Sequence, residues 1–418
     1  MSTSADICVV GGAGHIGLPL SIVFASKGQR VLIYDINPQT LETIQRGTMP
    51  FMERGAEPLL REALAAGRLS VTTHARDIAK VPTLIVTIGT PIDEFLNPSI
   101  KGFVRCFEEL IPHLSDEQLI VLRSTVYPGA TNWLGQFLES KGKRPHLACC
   151  PERIVQGQAI EEIQRLPQLI SGTTPAAEER AVALFSLLTN ELVRLQPMEA
   201  EFAKLFCNAY RYIQFAVSNQ FYMMASSAGL DYYRILNGLK QHYDRMRDIP
   251  SAGLAAGPCL FKDTMQLTAF YDNEFSLGYT AMLINEGLPL HIARELGKSS
   301  DLSDLTIGLL GMAFKADIDD ARSSLSYKLK KVLQFRAARV LTTDPYVNDP
   351  ELLPLEQVIE KSDLLILCIP HRAYKPLDLK GKPVLDIWNF FGRGSQVDLS
   401  ALNGARGAAK NSRAPARA

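Results

Sequence analysis

An α/β protein with two Rossmann-like doubly wound domains joined by a central helical domain is predicted by three observations. Short apolar runs alternate with helical stretches through the first part of the chain. The middle loses these strand-like runs and reads as helix. The alternating texture then returns and echoes the start.

Ile7 to Val10 reads as a buried strand running into Gly12-Ala13-Gly14-His15-Ile16-Gly17, and Leu18 to Ser26 as the helix that follows. Val31 to Asp35 is a second strand ending in an acid. Leu84 to Ile88, Leu119 to Leu122 and His146 to Cys150 are further apolar runs. Such runs, without polar alternation, fit a parallel sheet buried on both faces. This first domain is expected over residues 1–195.

From Glu199 to Gly229 the chain has no strand-like block and no earlier Pro or Gly. Phe202, Leu205, Phe206, Tyr210 and Ile213 recur there at helical spacing. A long helix is predicted, within a helical domain over 196–298. A helix this apolar packs against a partner as well as its own domain, so a homodimer is expected. Residues 299–400 form the second doubly wound domain. Thr306 to Gly311 echoes Ile7 to Gly12, Arg339 to Pro345 echoes Arg30 to Asp35, and Leu364 to Cys368 echoes Leu84 to Ile88. Residues 401–418 are rich in Ala, Arg and Gly without apolar periodicity and are expected to be a disordered tail.

Composition excludes several classes. Lys plus Arg is 44 and Asp plus Glu is 44, so the basic footprint of a nucleic-acid binder is missing. No apolar run is long enough for a membrane span, and the first residues carry no basic n-region or signal-peptide core. Seven cysteines, an odd number without framework spacing, fit reduced thiols in a cytoplasmic protein. Cys149-Cys150 reads as two thiols at a strand end. No His/Cys cluster has zinc spacing, so no metal is expected.

Two motifs carry the chemistry. Gly12, Gly14 and Gly17 follow a strand and open a helix, the context in which G-x-G-x-x-G binds a dinucleotide. The first glycine makes the turn, the second lets the pyrophosphate approach the backbone, and the third permits close helix packing. Asp35, 18 residues after Gly17, is placed to accept the ribose hydroxyls and to repel a 2′-phosphate, so the cofactor is NAD. The second motif is Gly257-Pro258-Cys259-Leu260-Phe261-Lys262-Asp263. A thiol reacts as thiolate and needs nearby positive charge or a base. Lys262 can supply the charge and Asp263 can direct the proton. A nicotinamide site with a nucleophilic cysteine points to alcohol oxidation carried on to an acid through a thioester.

Other residues leave alternatives open. Glu201, Lys204 and Asn208 share one helix face, which is either a solvated charged face or, given its aromatic flanks, a partly buried lysine beside an amide that stabilises an oxyanion. Pro151-Glu152-Arg153 puts a carboxylate at a strand's carboxyl end, where α/β sheets bind ligands. Ser124-Thr125 lies at a similar edge, as site hydroxyls or as helix caps. Lys315 and Arg322 follow the first strand of the second doubly wound unit, as phosphate ligands or as a solvated pair.

Together these residues resemble the nucleotide-sugar 6-dehydrogenases, the UDP-glucose/GDP-mannose dehydrogenase family. The resemblance runs from about residue 6 to 395. It also includes Gly89-Thr90-Pro91, Ser124-Thr125-Val126-Tyr127-Pro128-Gly129 and Ala313-Phe314-Lys315 with Arg322. It implies an NAD domain, a dimerising helical centre and a C-terminal domain gripping the UDP of a UDP-sugar, in polysaccharide biosynthesis. It implies two hydride transfers at C6, with Cys259 trapping the aldehyde and the resulting thioester hydrolysed to a uronic acid. Lys204 and Asn208 would polarise the C6 oxygen, Asp263 and Thr125 would position water, and Glu152 would act as base. His15, Ile16, Thr90, Thr125 and Arg322 fall on the cofactor side by the same resemblance, and Glu152, Arg153, Lys204, Asn208 and Lys315 on the substrate side. Arg153 and Gln156 stand where the UDP-glucose enzymes usually carry phenylalanine and a second glutamate, and Pro151-Glu152-Arg153 with Ile16-Gly17-Leu18-Pro19 is instead similar to the branch acting on UDP-N-acetylhexosamines, notably UDP-N-acetylmannosamine. Phe261 stands where the family often has proline, and Ala255-Ala256 makes the cysteine loop poorer in glycine. The alternatives are the same reaction on UDP-glucose, a single-step hydroxyacid-type dehydrogenase, and an NAD-sensing binding protein that does no chemistry.

Asp35 generates the first prediction. Its charge beside a 2′-phosphate should make kcat/KM at least about tenfold higher with NAD than with NADP. Steady-state kinetics with both cofactors check this, and equal values would mean that Asp35 lies elsewhere.

Overall fold

The computed structural model describes residues 5–255 and 257–397, so the expected tail at 401–418 lies outside the described residues. The chain divides into two compact units, residues 1–209 with 262–275, and residues 210–261 with 276–418.

The first unit begins β1 (Ile7–Val10), α1 (Gly17–Ser26), β2 (Val31–Tyr34), α2 (Pro38–Gln45), α3 (Ala56–Ala65), β3 (Leu69–Thr72). It continues β4 (Thr83–Val86), α4 (Lys101–Leu110), β5 (Leu119–Leu122), α5 (Ala130–Ser140) and β6 (His146–Cys149). Then come α6 (Ala159–Arg165), β7 (Gln168–Ile170), α7 (Pro175–Phe185) and β8 (Leu192–Arg194). Six parallel strands run in the order β3-β2-β1-β4-β5-β6, and β7 pairs with β8 in a separate parallel pair. The order reverses between β1 and β4, so a crevice opens at their carboxyl ends. Alternate residues of each strand feed opposite cores. Val9, Ile33, Ile85 and Val121 pack with Leu18 and Phe24 on one face. Cys8, Val10, Leu84, Val86 and Ile120 pack with Phe107 and Leu134 on the other. Burial on both faces is why these strands read as continuous apolar runs.

The apolar run Leu84 to Ile88 is only partly strand. β4 stops at Val86 because Thr87 turns across the end of β1, its hydroxyl donating to the carbonyls of Val10 and Gly11 at 3.0 and 3.1 Å. β2 likewise stops at Tyr34, which leaves Asp35 just beyond the sheet.

The long helix α8 (Pro197–Ser227) has 31 residues, about 46 Å at 1.5 Å per residue. Proline at its first position suits a helix start, where its missing N–H costs nothing. α9 (Tyr232–Lys240), α10 (Leu260–Phe270) and α11 (Ser276–Ser299) follow.

The second doubly wound sheet comprises β9 (Thr306–Leu310), α12 (Leu325–Gln334), β10 (Arg339–Thr343), α13 (Leu355–Lys361), β11 (Leu364–Leu367) and β12 (Val384–Asp386). Its four parallel strands run β10-β9-β11-β12, again reversing beside the first strand. The internal echo in the sequence is thus a repeated βαβ arrangement. Asp344 follows β10 as Asp35 follows β2, but it is fully enclosed. Its carboxylate accepts N–H groups from Met312 (2.6 Å), Ala313 (3.0 Å), Tyr346 (2.8 Å) and Val347 (3.0 Å), and lies 3.0 Å from Nε2 of His371.

Burial alone would raise the Asp344 pKa, but the His371 contact and the backbone donors outweigh it and bring it down to about 2. The folded value lies below the unfolded one, so Asp344 adds stability above about pH 4 that fades as pH falls toward 2. One pKa unit is worth about 1.4 kcal/mol, which makes this contribution about 2 kcal/mol. Wild type and Asp344→Asn compared by urea unfolding should therefore differ most above pH 4, with the gap shrinking below it. A gap independent of pH would contradict the assignment.

Candidate active site

In the first unit the glycine loop is shaped by close approach. A Cβ on Gly12 would sit 2.6 Å from the Val9 carbonyl oxygen, and one on Gly17 would sit 2.6 Å from Cα of Gly12. At Gly14 it would meet only the Gly11 oxygen, at 3.6 Å, so this side of the loop is open to a ligand. No side chain caps the start of α1, which leaves the positive end of that helix for a phosphate. Asp35 is held at the rim by the N–H groups of Ala13 and Asn37, both at 3.1 Å, and each of its oxygens keeps acceptor capacity. His15 stacks on Phe51 with centroids 4.1 Å apart. These residues fit NAD. Glycines 12, 14 and 17 could shape a pyrophosphate seat, and Asp35 could accept the ribose hydroxyls.

The carboxyl end of β6 leads into a buried polar cluster. Glu152 and Lys204, side chains 9% and 6% exposed, meet at 3.0 Å, and the second Glu152 oxygen accepts the Ile154 N–H at 2.7 Å. Asn208 Nδ2 donates to Asp263 Oδ2 at 2.6 Å, and Lys262 Nζ meets Asp263 Oδ1 at 2.5 Å. Lys262 also reaches the Thr90 hydroxyl at 3.4 Å, and that hydroxyl donates to the carbonyl of Thr125. Lys204, Asn208, Glu152 and Asp263 are all buried, so the solvated-face alternative for this part of α8 falls. The cluster offers a fixed ammonium, an amide and two carboxylates, groups that can stabilise an oxyanion and move a proton.

Two neighbouring residues have partners of their own. Lys262 pairs with Asp263. Ser124 does not cap α5: its hydroxyl donates to the Ile88 carbonyl at 2.6 Å and ties β5 to the end of β4. Arg153 donates to the Pro167 carbonyl at 2.5 Å, so a backbone group holds its guanidinium. Glu201 accepts the N–H groups of Gly129 (2.6 Å) and Thr131 (2.8 Å) and the Thr131 hydroxyl (2.5 Å). It closes the open start of α5 and fixes α8 beside it. Sequence reasoning missed Arg123. It is fully buried, donating to the Cys150 carbonyl at 2.9 Å and to Gln168 at 2.8 Å, with its guanidinium carbon 5.0 Å from the Phe185 ring centroid. It braces the end of β6 just before Glu152. The signal was present, a charged residue directly after the apolar run Leu119 to Leu122.

In the second unit Cys259 is exposed and immediately precedes α10 in the chain. Gly257, at φ +110°, is the residue type required there, since a Cβ would lie 2.6 Å from the Phe314 ring. Arg322 is bound to Asp320 by three contacts of 2.6 to 3.0 Å. Its pKa is raised chiefly by that hydrogen bond, with a smaller contribution from the Cys259 charge. Arg322 is therefore a positive charge that acts on Cys259 within this unit. Lys315, on the same loop, is half-buried. Cys149 and Cys150 are buried, and burial pushes the Cys150 thiol up to about 12. They are the two inert strand-end thiols expected. Among the described residues no group of His, Cys, Asp and Glu can hold a metal, and no helix is long and apolar enough to cross a membrane.

Three family models of the UDP-glucose/GDP-mannose dehydrogenase family match the chain. They are its NAD binding domain at residues 5–189, its central domain at 198–287 and its UDP binding domain at 308–393. A UDP-N-acetyl-D-mannosamine dehydrogenase from Pyrococcus horikoshii is 28% identical over 88% of this chain and 90% of its own length. An NDP-N-acetyl-D-galactosaminuronic acid dehydrogenase from Ralstonia nicotianae is 26% identical over 90% of this chain and 94% of its own. Among solved structures, the Pyrococcus horikoshii UDP-D-ManNAc dehydrogenase aligns with TM-score 0.82 at 28% identity, covering 89% of this chain and 91% of that one. A UDP-glucose dehydrogenase from Pyrobaculum islandicum aligns with TM-score 0.83 at 26% identity, covering 92% and 94%.

The buried ion pair yields a stability prediction. Lys204→Ala leaves Glu152 as an uncompensated buried charge and should cost about 3–5 kcal/mol by urea unfolding. Adding Glu152→Gln should restore part of that loss. A double variant whose loss equals the sum of the single losses would contradict the pairing.

Proposed function

Because the chain belongs to the UDP-glucose/GDP-mannose dehydrogenase family of NAD-dependent oxidoreductases, we propose that it oxidises C6 of UDP-N-acetylmannosamine by four electrons to the uronic acid, through a thioester on Cys259. The observation that carries this reading is the buried set Lys204, Glu152, Asn208 and Asp263 at the carboxyl edge of the first sheet. It supplies the fixed charges that such a reaction needs. Cys259 supplies an exposed thiol.

NAD, exchanged between the two oxidations, would supply a hydride acceptor for each. Glu152 takes the hydroxyl proton as C6 becomes the aldehyde. The Cys259 thiolate then adds to that carbon, forming the C–S bond while the carbonyl electron pair moves onto oxygen. Lys204 and Asn208 stabilise this oxyanion, which develops charge in the transition state and not in the alcohol. Arg322 favours the thiolate form of Cys259. Loss of the second hydride leaves the thioester. Asp263 and Thr125 orient a water whose oxygen bonds to the acyl carbon, Glu152, its first proton since passed to solvent, takes the water's proton, and the C–S bond breaks to return the thiolate. Lys315 holds the nucleotide part of the substrate, and Arg153 orders the end of β6 on the sugar side. His15, Ile16, Thr90 and Thr125 complete the cofactor wall.

The sugar is assigned from Arg153 and Gln156 in the motif after β6, together with the name of the Pyrococcus horikoshii relative. UDP-glucose is the second reading, favoured by the Pyrobaculum islandicum enzyme whose fold aligns as well. A homodimer in the cytoplasm is the state proposed. Phe206, Tyr210, Val217, Phe221 and Met224 leave an exposed apolar stripe along α8 for a second copy to cover.

NADH released per UDP-sugar consumed tests the reaction. Two per UDP-N-acetylmannosamine, with little turnover of UDP-glucose, is expected. One would indicate single-step oxidation, and none with any UDP-sugar would indicate a binding protein. Cys259→Ser should lower acid formation by roughly 100-fold or more while UDP binding persists, because a hydroxyl is a far weaker nucleophile near neutral pH. Undiminished acid production by this variant would rule out the covalent route.

A further inference from the structure

The acidic residues after the second strand of each sheet have unlike surroundings. Asp35 is half-buried and keeps free acceptor capacity at the rim of a ligand site. Asp344 and His371 have side chains 0% exposed, and Asp344 is saturated by four backbone N–H groups and the imidazole. It has no room for a ribose. Its bonds go instead to the two ends of the structure that follows β9. Met312 and Ala313 open the loop 311–324, and Tyr346 and Val347 belong to the turn after β10.

His371 extends the hold to the middle of the same loop. The Asp317 N–H donates to Nδ1 at 2.9 Å, which places the ring proton on Nε2, facing Asp344. Asp317 sits at φ +57°, a left-handed conformation that a residue with a side chain keeps only where its surroundings over-determine it. The next residue, Arg372, supplies the rest: its N–H and Nε donate to the Asp317 carboxylate at 2.9 and 2.6 Å. The rings of Tyr346 and Tyr374 meet the imidazole edge-on, with centroids 5.2 and 5.5 Å away, and wall it from water. The far half of the loop is fastened to the near half by Phe314 N–H to the Asp320 carbonyl and by the Ser324 hydroxyl to the Ala313 carbonyl, both at 2.9 Å. Lys315 lies between the two anchored points, Ala313 and Asp317. Phe314 is the ring packed against Gly257.

We propose that His371 and Asp344 act as a positioning dyad: they hold loop 311–324 in the one shape that presents Lys315 and Phe314 to the UDP part of the substrate. The dyad does not touch the substrate. It rests on the reading of this unit as the UDP-sugar-binding one. The imidazole suits the task because it accepts on one nitrogen and donates on the other across a rigid ring. The acidic position that opens a ribose site in the first repeat is thereby turned into an anchor in the second.

The test is calorimetric titration of UDP into wild type, His371→Ala, His371→Gln and Arg372→Ala, beside steady-state kinetics with UDP-N-acetylmannosamine and NAD. His371→Ala should weaken UDP binding about tenfold or more and raise KM in parallel, with kcat within about threefold of wild type. Glutamine can still accept at one end and donate at the other, so His371→Gln should recover most of the affinity. The Arg372 side chain is 78% exposed, so Arg372→Ala should melt like wild type yet bind UDP about threefold more weakly. If His371→Ala does not fold, the other two variants decide. Wild-type UDP affinity in every folded variant, or a lowered melting temperature with unchanged affinity and KM, would overturn the dyad. Failure of wild type itself to bind UDP would overturn the reading of the unit on which the dyad rests.

Discussion

A lysine ammonium and a glutamate carboxylate, both more than nine-tenths buried, face each other at 3.0 Å, and the first unit is arranged to keep them there. Neither charge survives burial alone, since desolvation of one unpaired ion costs several kcal/mol. Each partner is therefore braced separately. Arg123 fixes the end of β6 that carries Glu152, and Glu201 fastens α8, which carries Lys204, to the start of α5. Asn208, one turn further along α8, is held by Asp263. The proposed oxyanion donors thus stand on one helix whose position is set by two buried carboxylates. Rigid donors of this kind need no reorganisation when charge develops, and that is the physical content of the proposed catalysis.

The two doubly wound sheets show how one topology serves two purposes. Both reverse strand order beside their first strand, and both follow their second strand directly with an aspartate. In the first sheet the loop after β1 is open at Gly14 and Asp35 is half-buried, an arrangement that fits a dinucleotide. In the second sheet the equivalent loop is longer and is bound to Asp344 and His371. What differs is which donors surround the acid, not where the backbone puts it. The open acid keeps acceptor capacity that a ligand could use, whereas the enclosed one is spent on a loop.

Local features were legible in the sequence because they depend on neighbours in the chain. The strands Ile7–Val10 and Leu119–Leu122, the glycine fingerprint, the long helix and the echo of the first sheet in the last third all follow from periodicity and turn residues. Pairing was not legible, because it is set by contacts across long separations. Glu201 reaches Thr131 across 70 positions and Asn208 reaches Asp263 across 55. Spacing put Glu201, Lys204 and Asn208 on one face but could not assign their partners. It therefore could not separate the structural Glu201 from the other two. The partners of Lys262, Ser124 and Arg123 are set the same way, and an arginine buried as fully as Arg123 is rare without partners that only the fold brings together.

The claim on which the account turns is that Cys259 carries the sugar between the two oxidations. Mass spectrometry of intact protein, quenched in acid during turnover of UDP-N-acetylmannosamine with NAD, tests it most directly. The Asp263→Asn variant should slow the final hydrolysis and make the intermediate accumulate. The account predicts a mass increase equal to the acyl UDP-sugar, located by proteolysis to the peptide containing Cys259 and absent when NAD is omitted. Acid formation by wild type with no adduct at any quench time, in either wild type or the variant, would contradict it.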